Sequence, residues 1–328
     1  MSGTRRRLVA IAPALLAGGL LPASGRAQSP QGFPSRALRI IVPYATGSSV
    51  DSLARLVGAK LSESLKHPVL VEPRPGANTM IGSEALVKSA PDGYTLLLVS
   101  TTHVLNGLLI PNLPYDTFKD FAPVATIASS ELILVASPNV QATNVKELVA
   151  LGKTRQLSYA TSSAGGPTHI AAELFSSLTG IKLTHVPYKG SGPAVTDLLG
   201  GHVDIGWTAP LSVIPHINAG KLKGIAISGD SRGPALPQVP TFSEAGLQGF
   251  DMRFWYALLA PAGTPREIVD KLSTEIAKIL ATPDMKEKLA AQGADPFISN
   301  PDQFAAVMRA DSTRYEKVIK GANIKVAE

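Results

Sequence analysis

LRIIVPYATGSSVDSLARLVGAKL, residues 38–61, changes its hydrophobic period halfway. Leu38, Ile40, Ile41 and Val42 form an apolar run, Pro43-Tyr44-Ala45-Thr46-Gly47-Ser48-Ser49 is a loop of mostly small residues, and Val50, Leu53, Ala54, Val57 and Leu61 then recur at helical spacing. The pattern predicts a buried strand, a loop and a helix opening near Ser48, with Ser48 and Asp51 at capping-box spacing. Such a loop leaves backbone N–H groups free at the positive end of a helix dipole, where an anion can be held without a cationic side chain. The loop matches neither the phosphate-cradling pattern ending in Gly-Lys-Ser/Thr nor the three-glycine dinucleotide pattern. A Gly/Ser loop also serves merely to turn a chain, so by itself it carries little weight.

Further on, Thr161-Ser162-Ser163-Ala164-Gly165-Gly166-Pro167-Thr168-His169 repeats the arrangement: it follows the apolar segment at residues 157–160 and precedes Ile170, Leu174, Phe175 and Leu178 at helical spacing. Two such loops in separate halves predict two N–H cradles facing each other across a cleft. Between them, residues 68–72 and 94–99 read as strands, with a helix over 81–88 between those two. Strand-helix alternation of this kind indicates a parallel sheet with right-handed crossovers and ligands at the carboxyl ends of the strands. Thr101 and Thr102 fall at that edge, and Thr208 ends a comparable strand at 203–208. Residues 229–249, rich in Gly and Pro, read as a connector rather than a packed element. Thr264-Pro265 reads as a cap with proline in the first helical position, opening a helix to Leu280. Two last helices, over 283–292 and 301–319, are expected to return to the first domain.

The chain of 328 residues has room for two domains, and 45% hydrophobic with 17% charged residues is an ordinary globular balance. The absence of cysteine excludes disulfides, thiol catalysis and thiolate metal sites. Residues 1–27 read as an export signal: Arg5-Arg6-Arg7, an apolar run from Leu8 to Leu21, and small residues Gly25 and Ala27 before a cut. Both the general secretory and the twin-arginine routes fit. Removing this leader takes four arginines and no acid, so the formal charge falls from +6 to +2. No basic cluster suited to nucleic acid remains.

Several ordered segments carry a resemblance: Phe33-Pro34-Ser35-Arg36 with Ile40-Ile41-Val42-Pro43-Tyr44, Val71-Glu72-Pro73-Arg74-Pro75-Gly76-Ala77, Ala90-Pro91-Asp92-Gly93-Tyr94-Thr95-Leu96, His185-Val186-Pro187-Tyr188-Lys189-Gly190 and Leu258-Leu259-Ala260-Pro261-Ala262-Gly263-Thr264-Pro265. Together they make the chain resemble the substrate-binding proteins of the tripartite tricarboxylate transporter family, the Bug-type periplasmic receptors. The resemblance implies an α/β, two-domain periplasmic binding protein-like fold of type II with the ligand cleft between domains. It implies a periplasmic receptor that passes a small organic acid to membrane transporter subunits, with no cofactor and no metal. Its gripping loops correspond here to residues 44–51 and 162–169. The expected ligand-binding set is therefore Tyr44, Thr46, Gly47, Ser48, Ser49, Asp51, Thr101, Thr102, Ser162, Ser163, Ala164, Gly165, Thr168, His169 and Thr208. Expected boundaries are 1–27 for the leader, 31–128 plus 252–328 for domain 1, and 129–251 for domain 2, in a monomer. The first loop departs from the usual Tyr-Ala-Pro-Gly-Gly at Thr46 and Ser48, and Asn78-Thr79-Met80 stands where Gly-Gly-Asn is common.

Bland readings compete at several positions. Asp51 serves a capping role as readily as a ligand, and His169 serves its own helix end. Tyr188 and Trp207 read as packing, Asp204 as a turn brace, Arg74 as a brace for its loop and Lys189 as solvent-facing. A ligand sensor for a membrane kinase would use the same cleft. A hydrolase would need Ser162 or Ser163 against His169 or His103, yet no Gly-x-Ser-x-Gly elbow occurs. The six scattered histidines contain no His-x-x-x-His pair.

Overall fold

In chain order, the computed structural model runs β1 (Leu38–Val42), α1 (Ser49–Leu65), β2 (Val69–Pro73), α2 (Met80–Val87), β3 (Thr95–Ser100), α3 (Thr102–Leu109) and β4 (Phe121–Ser130). It continues with β5 (Ile133–Ala136), α4 (Val145–Thr154), β6 (Leu157–Thr161), α5 (Pro167–Thr179), β7 (Leu183–Pro187), α6 (Ser191–Gly200), β8 (Ile205–Thr208), α7 (Ile214–Asn218) and β9 (Lys223–Ile227). The chain closes with β10 (Phe254–Pro261), α8 (Arg266–Leu280), α9 (Pro283–Ala290), β11 (Asp295–Pro296) and α10 (Pro301–Gly321). The structure describes residues 32–324 apart from 189, 234, 251, 253 and 323. The leader and Lys189 therefore lie outside the described residues.

The strands form two sheets, ordered β11-β4-β10-β3-β1-β2 and β7-β6-β8-β5-β9. Period-2 alternation divides the apolar run of β1 between two cores: Leu38, Ile40 and Val42 pack under α1 and α8, while Ile41 packs on the opposite face. Both faces are covered along residues 40–42, which is why that stretch reads as continuously hydrophobic, whereas Arg39 on the Ile41 face is half-buried and pairs with Glu72 (3.2 Å).

Strand direction places the cleft. β1 runs parallel to β2 and β3, while β10 is antiparallel to both β3 and β4, so β4 ends on the same edge as β1 and β3. In the second sheet β5 is antiparallel to β8 and β9, and β8 runs parallel to β6. Ile133, which opens β5, sits opposite Thr208 and Ile227 at the carboxyl ends of β8 and β9. The chain passes from Ser130 to Ile133 in three Cα steps, a reach of at most about 11 Å. The carboxyl edges of the two sheets must therefore abut.

A return crossing over residues 228–253 enters β10 at Phe254, opposite Ser130, on that same edge. The two crossings are stitched together where Leu132 N–H donates to Ser228 Oγ (2.8 Å) and Ser228 N–H donates to the Leu132 carbonyl (2.7 Å).

Several local expectations are corrected. The connector at 229–249 has no helix among its described residues but is packed: Phe242 is buried and stacks on buried Phe250 with centroids 3.8 Å apart. Helix α8 begins one residue later than its proline suggests, since Pro265 is the non-helical cap at ψ 134° and Thr264 Oγ1 donates to the Pro261 carbonyl instead (2.7 Å). Helix α10, expected on the first domain alone, packs against α3 and β4 and also against α5 beside the second sheet. Asp204 braces strands rather than a turn, accepting from Ser158 N–H (2.8 Å) and from Arg155 (2.7 and 3.1 Å). Arg74 does brace its own segment, through Glu72 (2.5 Å).

Candidate functional site at the facing carboxyl edges

The loop after β1 is held open by its own residues. Gly47 sits at φ +82°, in the region that favours glycine, and its N–H donates to Asp51 Oδ2 (3.0 Å). Ser48 is the N-cap, its hydroxyl accepting from Asp51 N–H (3.2 Å). Only half of a capping box forms, because the Asp51 carboxylate reaches Gly47, one residue before the cap. Arg55 completes the brace with two bonds to Asp51 (both 3.1 Å). Asp51 is 2% exposed, and the Arg55 guanidinium, followed by the Gly47 N–H, holds its carboxyl below the usual range against the opposing effect of burial. Thr46 stays exposed, and Ser49 and Val50 open α1, where backbone N–H groups have no partner in the preceding turn.

Tyr44 leads from this loop into the first sheet. Its hydroxyl pairs with Ser100 Oγ (2.6 Å), which donates on to Thr102 Oγ1 (3.1 Å), and burial raises the phenol's pKa so that it stays a neutral hydroxyl. Thr101, expected on the cleft wall, has no exposed surface. Its N–H donates to the Trp255 carbonyl and its Oγ1 accepts from Trp255 N–H (both 3.1 Å), clamping the end of β3 to β10.

The second loop is built alike. Gly165 sits at φ +70° and donates its N–H to His169 Nδ1 (3.0 Å). Thr168 Oγ1 accepts from Ser162 N–H and pairs with Ser162 Oγ (both 3.3 Å). Ser163 and Ala164 are exposed at the tip, and Pro167 occupies the first turn of α5. Thr208 ends β8 with a buried hydroxyl that has no hydrogen-bond partner among the described residues.

Behind this loop His169 stacks on His185 with centroids 4.0 Å apart, and His185 Nε2 pairs with Thr161 Oγ1 (2.7 Å). Burial first, and the His185 ring second, lower the His169 pKa to about 4; burial alone does the same to His103. His169 is therefore neutral, and its Nδ1 is occupied by Gly165. Ser162 pairs with Thr168, and His103 lies against Tyr115 and Phe121 beside the other sheet, so no Ser-His arrangement for nucleophilic attack forms among these residues. No cluster of three metal-ligating side chains occurs among the described residues.

The neutral rings make stability depend on pH. Below pH 6.5 the unfolded chain protonates His103 and His169, whereas the folded chain resists until about pH 4. Their contribution is complete above pH 6.5 and falls on acidification, by on the order of 1 kcal/mol per pH unit for each ring. The melting temperature is expected to drop steadily from pH 6.5 to 4, and His103→Leu to flatten part of that slope. A melting temperature constant over this window would contradict the assignment.

Position along the chain marked the two loops and the hydroxylated end of β3 at Ser100, but it gave no sign of Ser100's partner Tyr44 or of the roles of His185 and Asn106, whose partners are far away in sequence. Asn106 lies on α3, a helix absent from the sequence reading because Gly107 and Pro111 interrupt its pattern.

Two α/β sheets with their carboxyl edges facing, joined by two crossings and each carrying a helix-opening loop at that edge, define a periplasmic binding protein fold. The family model described as tripartite tricarboxylate transporter family receptor, TctC, matches residues 53–324, and the chain belongs to that family. It is 38% identical to the protein BugT of Bordetella pertussis over 299 residues, covering 89% of this chain and 92% of BugT. Among solved structures it resembles R. palustris Rpa4515 with adipate (34% identity, TM-score 0.78, 89% of this chain and 99% of that one). It also resembles MatC from Rhodopseudomonas palustris with bound malate (32% identity, TM-score 0.72, 88% and 100%). The protein is thus a solute-binding receptor and not an enzyme.

Proposed function

We propose that the protein is exported to the periplasm, loses residues 1–27, and captures a small organic acid for the membrane subunits of a tripartite tricarboxylate-type transporter. The carboxylate is held by neutral donors that the loops do not spend on themselves: the backbone N–H groups that open α1 with the Tyr44, Thr46 and Ser48 hydroxyls on one side, the Ser162 and Ser163 hydroxyls and the N–H groups of the second loop other than those of Ser162 and Gly165 on the other, with Thr102 and Thr208 alongside. In this reading the lobes are residues 31–128 plus 252–328 and residues 129–251; crossings at 130–133 and 228–253 support a division into two lobes, with the first lobe running on to Ser130, the end of β4. The observation that carries this reading is the pair of glycine-turned, helix-opening loops on facing edges. The adipate bound by Rpa4515 and the malate bound by MatC support a carboxylate as the ligand class.

A thermal-shift series with mono- and dicarboxylates, amino acids and neutral controls tests it. A ligand at a hundredfold its Kd adds about 2.7 kcal/mol, worth several degrees. Gly165→Val, a β-branched residue at φ +70°, is expected to abolish the shift. A shift with neutral compounds only would refute the carboxylate assignment.

A further inference from the structure

At the carboxyl end of β2 the backbone does something L-residues rarely do. Gly76 is at φ +129°, and Ala77, Asn78 and Thr79 follow at +44°, +47° and +75°, three consecutive non-glycine residues at positive φ. Strain of this kind persists where surrounding structure over-determines it, and it concentrates at ligand sites. Here Asn106 holds the turn: its Nδ2 donates to the Asn78 carbonyl (2.6 Å) and to Thr79 Oγ1 (3.0 Å), and its Oδ1 accepts from Asn78 Nδ2 (2.7 Å). The turn is seated beside the first loop because α2 packs onto it without a side chain between. A Cβ on Gly82 would lie 2.7 Å from Pro43 Cβ, next to Tyr44.

The hydrogen bonds also orient the Asn78 amide. A backbone carbonyl only accepts, so the Asn106 atom against it is nitrogen and the other branch of Asn106 is oxygen. The Asn78 branch facing that oxygen must then be nitrogen, which leaves Asn78 Oδ1, an acceptor, turned away from Asn106 on an exposed residue. We propose that Asn78, presented by the strained turn and positioned by Asn106, selects ligands whose far end is a hydrogen-bond donor, so that ω-hydroxy monocarboxylates bind in preference to dicarboxylates. This rests on the carboxylate reading of the cleft. A second carboxylate could accept only from the remaining Asn78 Nδ2 hydrogen and would meet the carbonyl oxygen with like partial charge, whereas a hydroxyl both accepts from that hydrogen and donates to the oxygen.

The test compares titrations of the purified protein with 6-hydroxyhexanoate against adipate, and 4-hydroxybutyrate against succinate. The hydroxy acid is expected to bind about tenfold tighter within each pair, the size of one neutral hydrogen bond. Asn78→Gly adopts φ +47° without strain and removes the acceptor, so the ratio should fall to near one. Thr79→Gly relieves similar strain but keeps the acceptor, and should retain the preference. Asn106→Asp replaces two donors by acceptors and should collapse the ratio with some loss of melting temperature. A dicarboxylate preference in the unmodified protein, or an Asn78→Gly ratio equal to it, overturns the proposal. Binding of neither series overturns it too, and differs in showing that the carboxylate reading itself has failed.

Discussion

Replacing Asp51 with alanine is expected to weaken ligand binding by at least tenfold and to cost about 2–3 kcal/mol of stability. The carboxylate is 2% exposed and gathers three bonds, one from the Gly47 N–H at 3.0 Å and two from Arg55 at 3.1 Å. Arg55 is half exposed, so its ion pair is screened and contributes the smaller part. The larger part is the loop. Without Asp51 nothing fixes Gly47 at φ +82°, and the N–H groups that open α1 lose their common orientation. Asp51→Asn is the informative companion, because its amide oxygen still accepts from Gly47 while the charge facing Arg55 is gone. It should keep most of the affinity and lose the acid dependence. The folded carboxyl titrates below the ordinary carboxylate range, so its contribution is complete above the unfolded pKa and fades as pH falls through the lower folded value. Wild-type affinity in the alanine variant would show that the brace is irrelevant to binding.

Legibility of this loop in the sequence has a physical basis and a limit. The change of period at residue 50 exposes the strand-loop-helix unit, since β1 is buried on both faces and α1 on one. Spacing also identified Ser48 as the cap. It could not say that the Asp51 carboxylate would reach Gly47 rather than the cap's own N–H, because a shift of one residue in side-chain reach leaves no trace in spacing. The second loop obeys the same logic, with His169 accepting from Gly165 four residues earlier as Asp51 accepts from Gly47.

Features that stayed hidden depend on partners distant in the chain. Residues 229–249 look like a loose connector because Gly and Pro dominate them, yet Phe242 and Phe250 find each other and anchor the return crossing. Thr101 looks like a cleft hydroxyl from its place after β3, and only the arrival of β10 from 154 residues later takes it up. Asn106 is a plain helical residue until the turn at 77–79 is set beside it. Strand β11, two residues long, carries no pattern at all.

Helix α10 carries the second large effect. Its Asp311 is 3% exposed and accepts from the indole Nε1–H of Trp255 at 2.7 Å, while Arg314 pairs with its other oxygen. Trp255, also buried, meets Phe304 of the same helix edge-on at 5.2 Å. The indole stands in β10, where the return crossing enters the first sheet, and its backbone is the one clamped to Thr101. Asp311→Leu strands a buried N–H and leaves Arg314 without this carboxylate, which is expected to cost about 3–5 kcal/mol and lower the melting temperature by several degrees. Trp255→Phe removes the donor from the other side and should also destabilise. If the bond itself is the cause, the double variant Asp311→Leu/Trp255→Phe will lose less than the sum of the two, because no indole N–H is then left unpaired. Strict additivity would place the cost in lost packing between α10 and β10 instead. Because α10 also packs on α5, whose first turn holds Thr168 and His169, a loosened α10 is expected to reach the second loop as a reduced ligand-induced thermal shift.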